Sequence, residues 1–376
     1  MDWVYRQPVE IHFGIGKIHD LKLVIDKIYG HRGLLVIGNH FWKSGFAQQL
    51  MEESGGRIVA MFHEIAPNPD VEMVDACAAA ARSAHADFIL AVGGGSVLDC
   101  AKAAAVIALT ENSILDYYGT ALGLPKKHLP LIAVPTTSGT GSEVTSVSVI
   151  SDYKTGKKLP VASDALYPDI AVIDPALTVS LSPQVTASTG IDVLSHALEG
   201  YWSKGHQPVC DSLAVHAGRL VFEYLVAAYE DPKNLTAREK LSEAAVIAGM
   251  AFNLSKTTAS HACSFPLTNL YKIPHGEACG MTLDYFARIN GEKDESGRIN
   301  QYAKELGFEH TKDLADGIFE LKKRIGLRTD LKEYNLSDED KWNLVYLSKH
   351  PNLQNNPVEI TDETLYRMYD DLSHEK

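Results

Sequence analysis

The chain has 376 residues, 45% of them hydrophobic, which is enough to bury a large core and favours two domains over one. Its 35 Lys and Arg stand against 48 Asp and Glu, and the formal charge of -13 argues against a nucleic-acid or anionic-membrane surface as its main business. The start, MDWVYRQPVEIHFG, lacks the basic-then-apolar order of an export signal, no uncharged run is long enough for a bilayer, and five scattered cysteines without a CxxC pair fit reduced core thiols, so the expected location is the cytoplasm, with no nucleic-acid or membrane partner.

Residues 1–178 alternate short β-rich runs with helical patterns. The β-type runs are GLLVIG at 33–38, RIVAMFH at 57–63, DFILAVG at 87–93, LIAVPT at 131–136 and DIAVID at 169–174. This order predicts an α/β, Rossmann-like domain with a mostly parallel sheet. After DPALTVSLSP the β-type runs stop, so residues 179–376 are expected to form an all-helical domain. Its helices are predicted over 184–202, 207–230 and 236–253 and after His275, with the polar stretch NGEKDESGR at 290–298 an exposed loop or helix start.

Two loops follow strands of the first domain. In FILAVGGGSVLDCAKAAA the strand runs into Gly93, Gly94 and Gly95, and Ser96 is expected to open a helix, with Asp99 three residues on as the partner of a capping box. Glycines without Cβ atoms and a helix N-terminus suit a pyrophosphate; a tight strand-to-helix turn with a good cap explains the same residues. PTTSGTGSEVTS follows the next strand, and its stretch Thr136–Ser142 holds five hydroxyls and two glycines, a density that favours ligand contact. At the end of LLVIGN the neutral Asn39 stands where an acid would select NAD, so NAD(H) use with weak exclusion of NADP(H) is expected.

GIDVLSHALEG places Asp192 and His196 at i and i+4 on one helical face. Alone, the pair reads more readily as a local Asp–His hydrogen bond, or as an Asp stabilising its own helix N-terminus, than as a metal clamp, which needs further ligands. SHACSFPLTNLYKIPHGEACG adds His261 and His275 in apolar surroundings, and one carboxylate with three imidazoles suits a first-row divalent ion such as Zn²⁺ or Fe²⁺. Four protein ligands would close a tetrahedral site, so catalysis needs a fifth position, which favours Fe²⁺ over Zn²⁺ or Mn²⁺. His12, His63, His85 and His216 stand alone and are read as ordinary core or surface residues.

Together GGGSVLD, PTTSGTGSEVT, GIDVLSHALEGY and the histidine pair ending in PHG resemble the iron-containing, metal-dependent alcohol dehydrogenases over essentially the whole chain. The resemblance implies an N-terminal dinucleotide-binding domain and a C-terminal helical domain, with Asp192, His196, His261 and His275 as metal ligands. It also implies that Gly94, Gly95, Ser96 and Asp99 hold the pyrophosphate side of NAD(P), that Thr136, Thr137, Thr140 and Lys158 line the rest of the cofactor path, and that the protein is a homodimer. The reaction it implies is reversible NAD(P)H-linked reduction of a small aldehyde to its alcohol, with no dedicated proton donor in evidence.

Two departures bear on substrate. Phe265 stands where many members have a histidine four residues after the third ligand, which removes any proton relay from that position. Lys256, Thr257 and Thr258 replace a Gly-Leu-Gly run of the propanediol type and supply a cation and hydroxyls, so the favoured substrate is a two-carbon aldehyde with an anionic tail, such as sulfoacetaldehyde or phosphonoacetaldehyde. A solvent-facing helix-end lysine is the plainer account of Lys256. A generic short-chain alcohol dehydrogenase of propanediol or butanol type is the alternative, and a dehydroquinate-synthase-like lyase a second.

Overall fold

The structure, a computed structural model, describes residues 2–118, 120, 122–152 and 157–374, with the backbone alone of 157–159. The chain divides into two compact units, one of Arg6–Thr137 with Gly141–Thr178, the other of Val179–Lys376 with Ser138–Thr140 and Met1–Tyr5.

The first unit is built on strands β1 (Glu10–Phe13), β2 (Gly33–Ile37), β3 (Ile58–Phe62), β4 (Phe88–Gly93), β5 (Leu131–Pro135) and, after a hairpin of β6 (Val147–Asp152) and β7 (Lys157–Ala162), β8 (Ile170–Ile173). All six strands of the main sheet pair in parallel, in the order β1-β8-β5-β4-β2-β3. Their near-continuous apolar runs reflect burial on both faces. Side chains alternate across the sheet, so Leu34, Val36, Ile89 and Ala91 pack with α4 (Val71–Ser83) and α5 (Gly95–Ile107). Leu35, Ile37, Leu90 and Val92 face the opposite way, toward α1 (Leu21–Lys27) and α3 (Phe46–Glu53), with the short α2 (Asn39–Lys43) following β2. The chain runs outward from β2 to β3 and then returns to β4, so the order reverses between β2 and β4. In open α/β sheets the carboxyl ends beside such a switch point are where ligands bind. There the sequence has Gly38-Asn39 and Gly93-Gly94-Gly95.

The five expected strands form within a residue or so of their expected bounds. β1 was not expected, nor was the β6–β7 hairpin, and the expected capping box does not form. α5 starts at Gly95 with Gly94 as N-cap and no side-chain cap, which puts Asp99 two residues past the position from which it could reach the helix start. Ser96 Oγ instead accepts the Asn68 N–H at 3.1 Å.

The second unit is helical: α6 (Pro183–Trp202), α7 (Pro208–Glu230), α8 (Leu235–Ser255), α9 (Ala259–Tyr271), α10 (His275–Lys293), α11 (Arg298–Glu305), α12 (Thr311–Arg324), α13 (Asp338–Leu347) and α14 (Asp362–Leu372). α6 is entered through Ser182, whose hydroxyl accepts the Val185 N–H, and through Pro183 at the first turn. It packs on α7, α8 and α10, and every residue from Gly190 to Trp202 is buried. The polar stretch at 290–298 spans the end of α10 and the loop before α11. Among the described residues no helix is long and apolar enough to cross a membrane.

Candidate active site

Because α6 is buried all round, the polar residues on one of its faces need partners. Asp192, His196 and Glu199 recur at helical spacing on that face, against His261 from α9 and His275 and Cys279 from α10. Asp192, His261, His275 and Cys279 each bring a donor atom within 4.8 Å of the others. His261 Nε2 lies 3.7 Å from Asp192 Oδ1, and Cys279 Sγ lies 3.8 Å from His275 Nε2. His196 is not in that tightest set, where the thiol stands instead, but its ring centroid is 4.7 Å from that of His261. Its ring stacks on Phe252 at 4.0 Å.

Among the described residues, three buried atoms of this group have no hydrogen-bond partner: Asp192 Oδ1, His261 Nε2 and His196 Nδ1. Orphaned polar atoms at zero or near-zero exposure are expensive. Burial raises the Asp192 carboxyl to about 6, and burial with the neighbouring His261 and His275 pushes His196 well below the ordinary imidazole range. A carboxylate and neutral imidazoles with lone pairs converging on one spot are what a divalent cation requires, so these donors fit the metal that the sequence implied.

Glu199 was not singled out from the sequence, although it continues the Asp192–His196 face. It is fully buried and accepts from the Thr258 hydroxyl at 2.7 Å, the Ser260 N–H at 2.7 Å and His261 Nδ1. Burial opposes charge on His261, yet Cys279 and the Glu199 carboxylate hold its pKa well above the ordinary value. With Nδ1–H committed to Glu199, Nε2 is the nitrogen that faces Asp192, and a divalent ion would take the place of the proton held there. Gly276 permits the close approach of α10: a Cβ there would lie 2.0 Å from Ser188 O and 2.8 Å from Asp192 Cβ.

The dinucleotide loops sit at the carboxyl ends of β4 and β5. Gly94 lies beside Thr137, whose side chain a Cβ would approach at 3.4 Å, and the uncapped start of α5 leaves its first N–H groups to an anion. Thr136 is buried, with its N–H on Gly93 O at 3.0 Å, whereas Thr137 and Thr140 are half-buried. Asn39 is exposed at the start of α2, just after β2. Asp99 has a different setting: its carboxylate accepts from the Ser142 hydroxyl at 2.6 Å and the Val149 N–H at 2.9 Å, so it anchors the second loop. The buried Lys102, one turn on, bonds Ser142 O at 2.9 Å and Val147 O at 2.5 Å. Lys158 lies in β7, but its side chain is outside the described residues.

In the turn between α8 and α9 the expected hydroxyl wall is largely committed elsewhere. Thr258 is buried and bridges Trp202 Nε1, at 2.8 Å, to Glu199. Thr257 Oγ1 accepts from Asn352 Nδ2 at 2.8 Å. Lys256 is exposed, with φ 70° and ψ 157°, a region occupied almost solely by glycine, and its Nζ reaches Asn253 O at 2.6 Å. Phe265 packs parallel to His275 with centroids 6.3 Å apart, and the His350 ring lies 4.7 Å away on it.

Residues 8–175 match the iron-containing alcohol dehydrogenases, and residues 186–373 match the Fe-containing alcohol dehydrogenase family, C-terminal. The chain belongs to the iron-containing alcohol dehydrogenase family. As a member it is an oxidoreductase, and the lyase alternative falls away. It is 33% identical to the NADPH-dependent butanol dehydrogenase of Clostridium saccharobutylicum over 91% of this chain and 89% of that protein. It is 32% identical to the sulfoacetaldehyde reductase of Bilophila wadsworthia, over 90% of each. The solved structure of sulfoacetaldehyde reductase from Bifidobacterium kashiwanohense in complex with NAD⁺ is 55% identical, covers 100% of both chains and superposes with a TM-score of 0.98.

Proposed function

We propose that this protein reduces a two-carbon aldehyde with an anionic tail, sulfoacetaldehyde foremost, to its alcohol with NADH, and runs the reverse reaction with the alcohol and NAD⁺. The observation that carries the substrate reading is Lys256: a non-glycine residue in a glycine-type backbone conformation, presenting an ammonium group at the turn that leads through Thr258 and Glu199 to His261. Strain of this kind persists where the surroundings impose it and clusters at functional sites. The full-length likeness to a sulfoacetaldehyde reductase supports the same substrate.

Asp192, His196, His261 and His275 would hold the metal, iron being favoured over zinc or manganese. A divalent ion held there supplies Lewis acidity toward the carbonyl oxygen. Gly94, Gly95 and Ser96 would hold the pyrophosphate of the dinucleotide, and Thr137 and Thr140 the path beyond it. Held there, NADH would supply the hydride for the carbonyl carbon, and one proton would complete the alcohol. Glu199 fixes the His261 tautomer, Phe252 holds the plane of His196, and Lys256 attracts the tail. Phe265 offers no exchangeable proton, so the proton comes by way of solvent. Asn39 accepts the adenosine ribose without repelling a 2′-phosphate, which allows NADPH as a poorer cofactor. The working assembly is a homodimer.

The test is a steady-state comparison of sulfoacetaldehyde with propanal, using NADH and Fe²⁺-reconstituted protein. Wild type should prefer sulfoacetaldehyde, and Lys256→Ala should raise its KM about tenfold or more while leaving propanal nearly unchanged. Equal kinetics with both aldehydes in the wild type would return the assignment to a generic short-chain alcohol dehydrogenase.

A further inference from the structure

The position four residues after His261 is occupied by Phe265, yet an imidazole stands beside it from a distant part of the chain. His350 is the N-cap of the 3-10 turn Pro351–Asn355, and its Nδ1 accepts the Asn352 N–H at 3.2 Å. A ring nitrogen that accepts a backbone N–H carries no proton, so the proton of the neutral ring is on Nε2. Burial keeps the ring neutral by pushing its pKa below the ordinary value. Among the described residues Nε2 has no hydrogen-bond partner, and the ring is half-buried rather than enclosed.

The neighbours of His350 tie it to both halves of the proposed site. Its ring packs on Phe265 at 4.7 Å, and Phe265 lies parallel to the candidate ligand His275. Asn352, whose N–H fixes the ring, also donates its Nδ2 to Thr257 Oγ1 at 2.8 Å, and Asn355 Nδ2 donates to Thr257 O at 3.0 Å. The turn that carries His350 is thus bonded to the turn that carries Lys256. A cap alone would need only Nδ1. The ring also holds an N–H donor open beside an aromatic wall, on a turn bonded through Thr257 to the strained backbone of Lys256.

We propose that His350 is a specificity-determining residue whose Nε2–H donates to the anionic tail of the substrate, acting with Lys256 as the two-pronged recognition of a sulfonate-type oxyanion. The inference rests on the substrate reading above and deepens it. Lys256 supplies charge, which attracts any anion. His350 supplies a directed neutral donor, which orients one oxygen of the tail and leaves the carbonyl end toward the metal ligands.

The test compares wild type, His350→Ala, His350→Gln and Lys256→Ala with sulfoacetaldehyde and propanal. Calorimetric titration of the alcohol product 2-hydroxyethanesulfonate and a thermal melt accompany the kinetics. His350→Ala is expected to raise KM for sulfoacetaldehyde about tenfold to hundredfold with little change for propanal, and to weaken product binding by a similar factor. His350→Gln, which keeps an N–H donor, should recover most of the loss. A wild type that prefers sulfoacetaldehyde, with a His350→Ala variant that shifts neither aldehyde or both equally, overturns the role of His350 and leaves the substrate reading standing. A wild type with no preference overturns both. If His350→Gln is as impaired as His350→Ala while its melt is unchanged, a directed donor is not what the site uses, and the proposal is overturned on that ground too.

Discussion

Glu199 shows how a residue that touches no reactant can decide the site. It is fully buried, and the donors around it fix its carboxylate in place, so that His261 can present only Nε2. Glu199→Gln would keep the shape but turn an acceptor toward a donor. Metal affinity should fall about tenfold to hundredfold, read by competition with a chromophoric chelator, with the fold intact by circular dichroism. Unchanged affinity would mean that His261 holds its tautomer without help. Lys256 gives the opposite trade. Lys256→Gly should relieve strain of about 1–3 kcal/mol, partly offset by the extra freedom of an unfolded glycine, and so raise the melting temperature while weakening use of the anionic aldehyde. At this scale the sequence was legible where spacing carries meaning, as at Asp192 and His196. It was not legible at Thr258, whose hydroxyl serves Glu199; Cys279 shares one face of α10 with His275 at the same i, i+4 spacing and went unread, and only the meeting of α6, α9 and α10 brings it to Asp192 and His261.

At the scale of elements, the strands of the parallel sheet could be read because each is an apolar run set off by turn residues. α9 was harder to find, because Pro266 sits inside it, and β1 is a short edge strand with a mixed burial pattern. What no periodicity reports is how closely two helices approach. Gly276 does: Gly276→Ala would drive a methyl group into Ser188 O and Asp192 Cβ, so α10 must move off α6. A cost of about 1–3 kcal/mol is expected, together with loss of bound metal by elemental analysis. The loop after β5 makes a prediction about pH. Burial raises Glu143 from 4.5 to about 7 and lowers Lys102 from 10.5 to about 8. A raised carboxyl pKa means the folded state holds a proton the unfolded chain has released, so this contribution is full below pH 4.5 and is lost as pH rises to about 7. A lowered lysine pKa works in reverse: its contribution is full above pH 10.5 and is lost as pH falls to about 8. The two together place a shallow stability minimum between about 7 and 8. Glu143→Gln should flatten the acid-side arm in melts taken from pH 5 to pH 7, and an unchanged arm would remove Glu143 as its source.

For the whole molecule, metal and fold are linked unevenly. The candidate ligands come from α6, α9 and α10, all in the helical unit, and none from the α/β unit. Without the ion, Asp192 Oδ1, His261 Nε2 and His196 Nδ1 stay buried without partners, a penalty the folded state bears and the unfolded chain does not. With the ion present at a hundred times its dissociation constant, binding to the native state alone adds about 2.7 kcal/mol. Chelation should therefore lower the thermal stability of the protein and restore it on adding Fe²⁺, Zn²⁺ or Mn²⁺ in proportion to affinity. The effect should also be local. In hydrogen exchange, amides of α6 around Asp192–Glu199 and of the first turns of α10 should lose protection in the chelated protein, while β2, β4 and β5 keep theirs, since the sheet packs through Leu34, Leu35, Ile89 and Leu90 and borrows nothing from the metal donors. Equal loss in sheet and helices would mean that the ion supports the whole chain as one cooperative unit. No loss in α6 would mean that the orphaned donors are satisfied by water, and the metal site would then have to be sought at other residues.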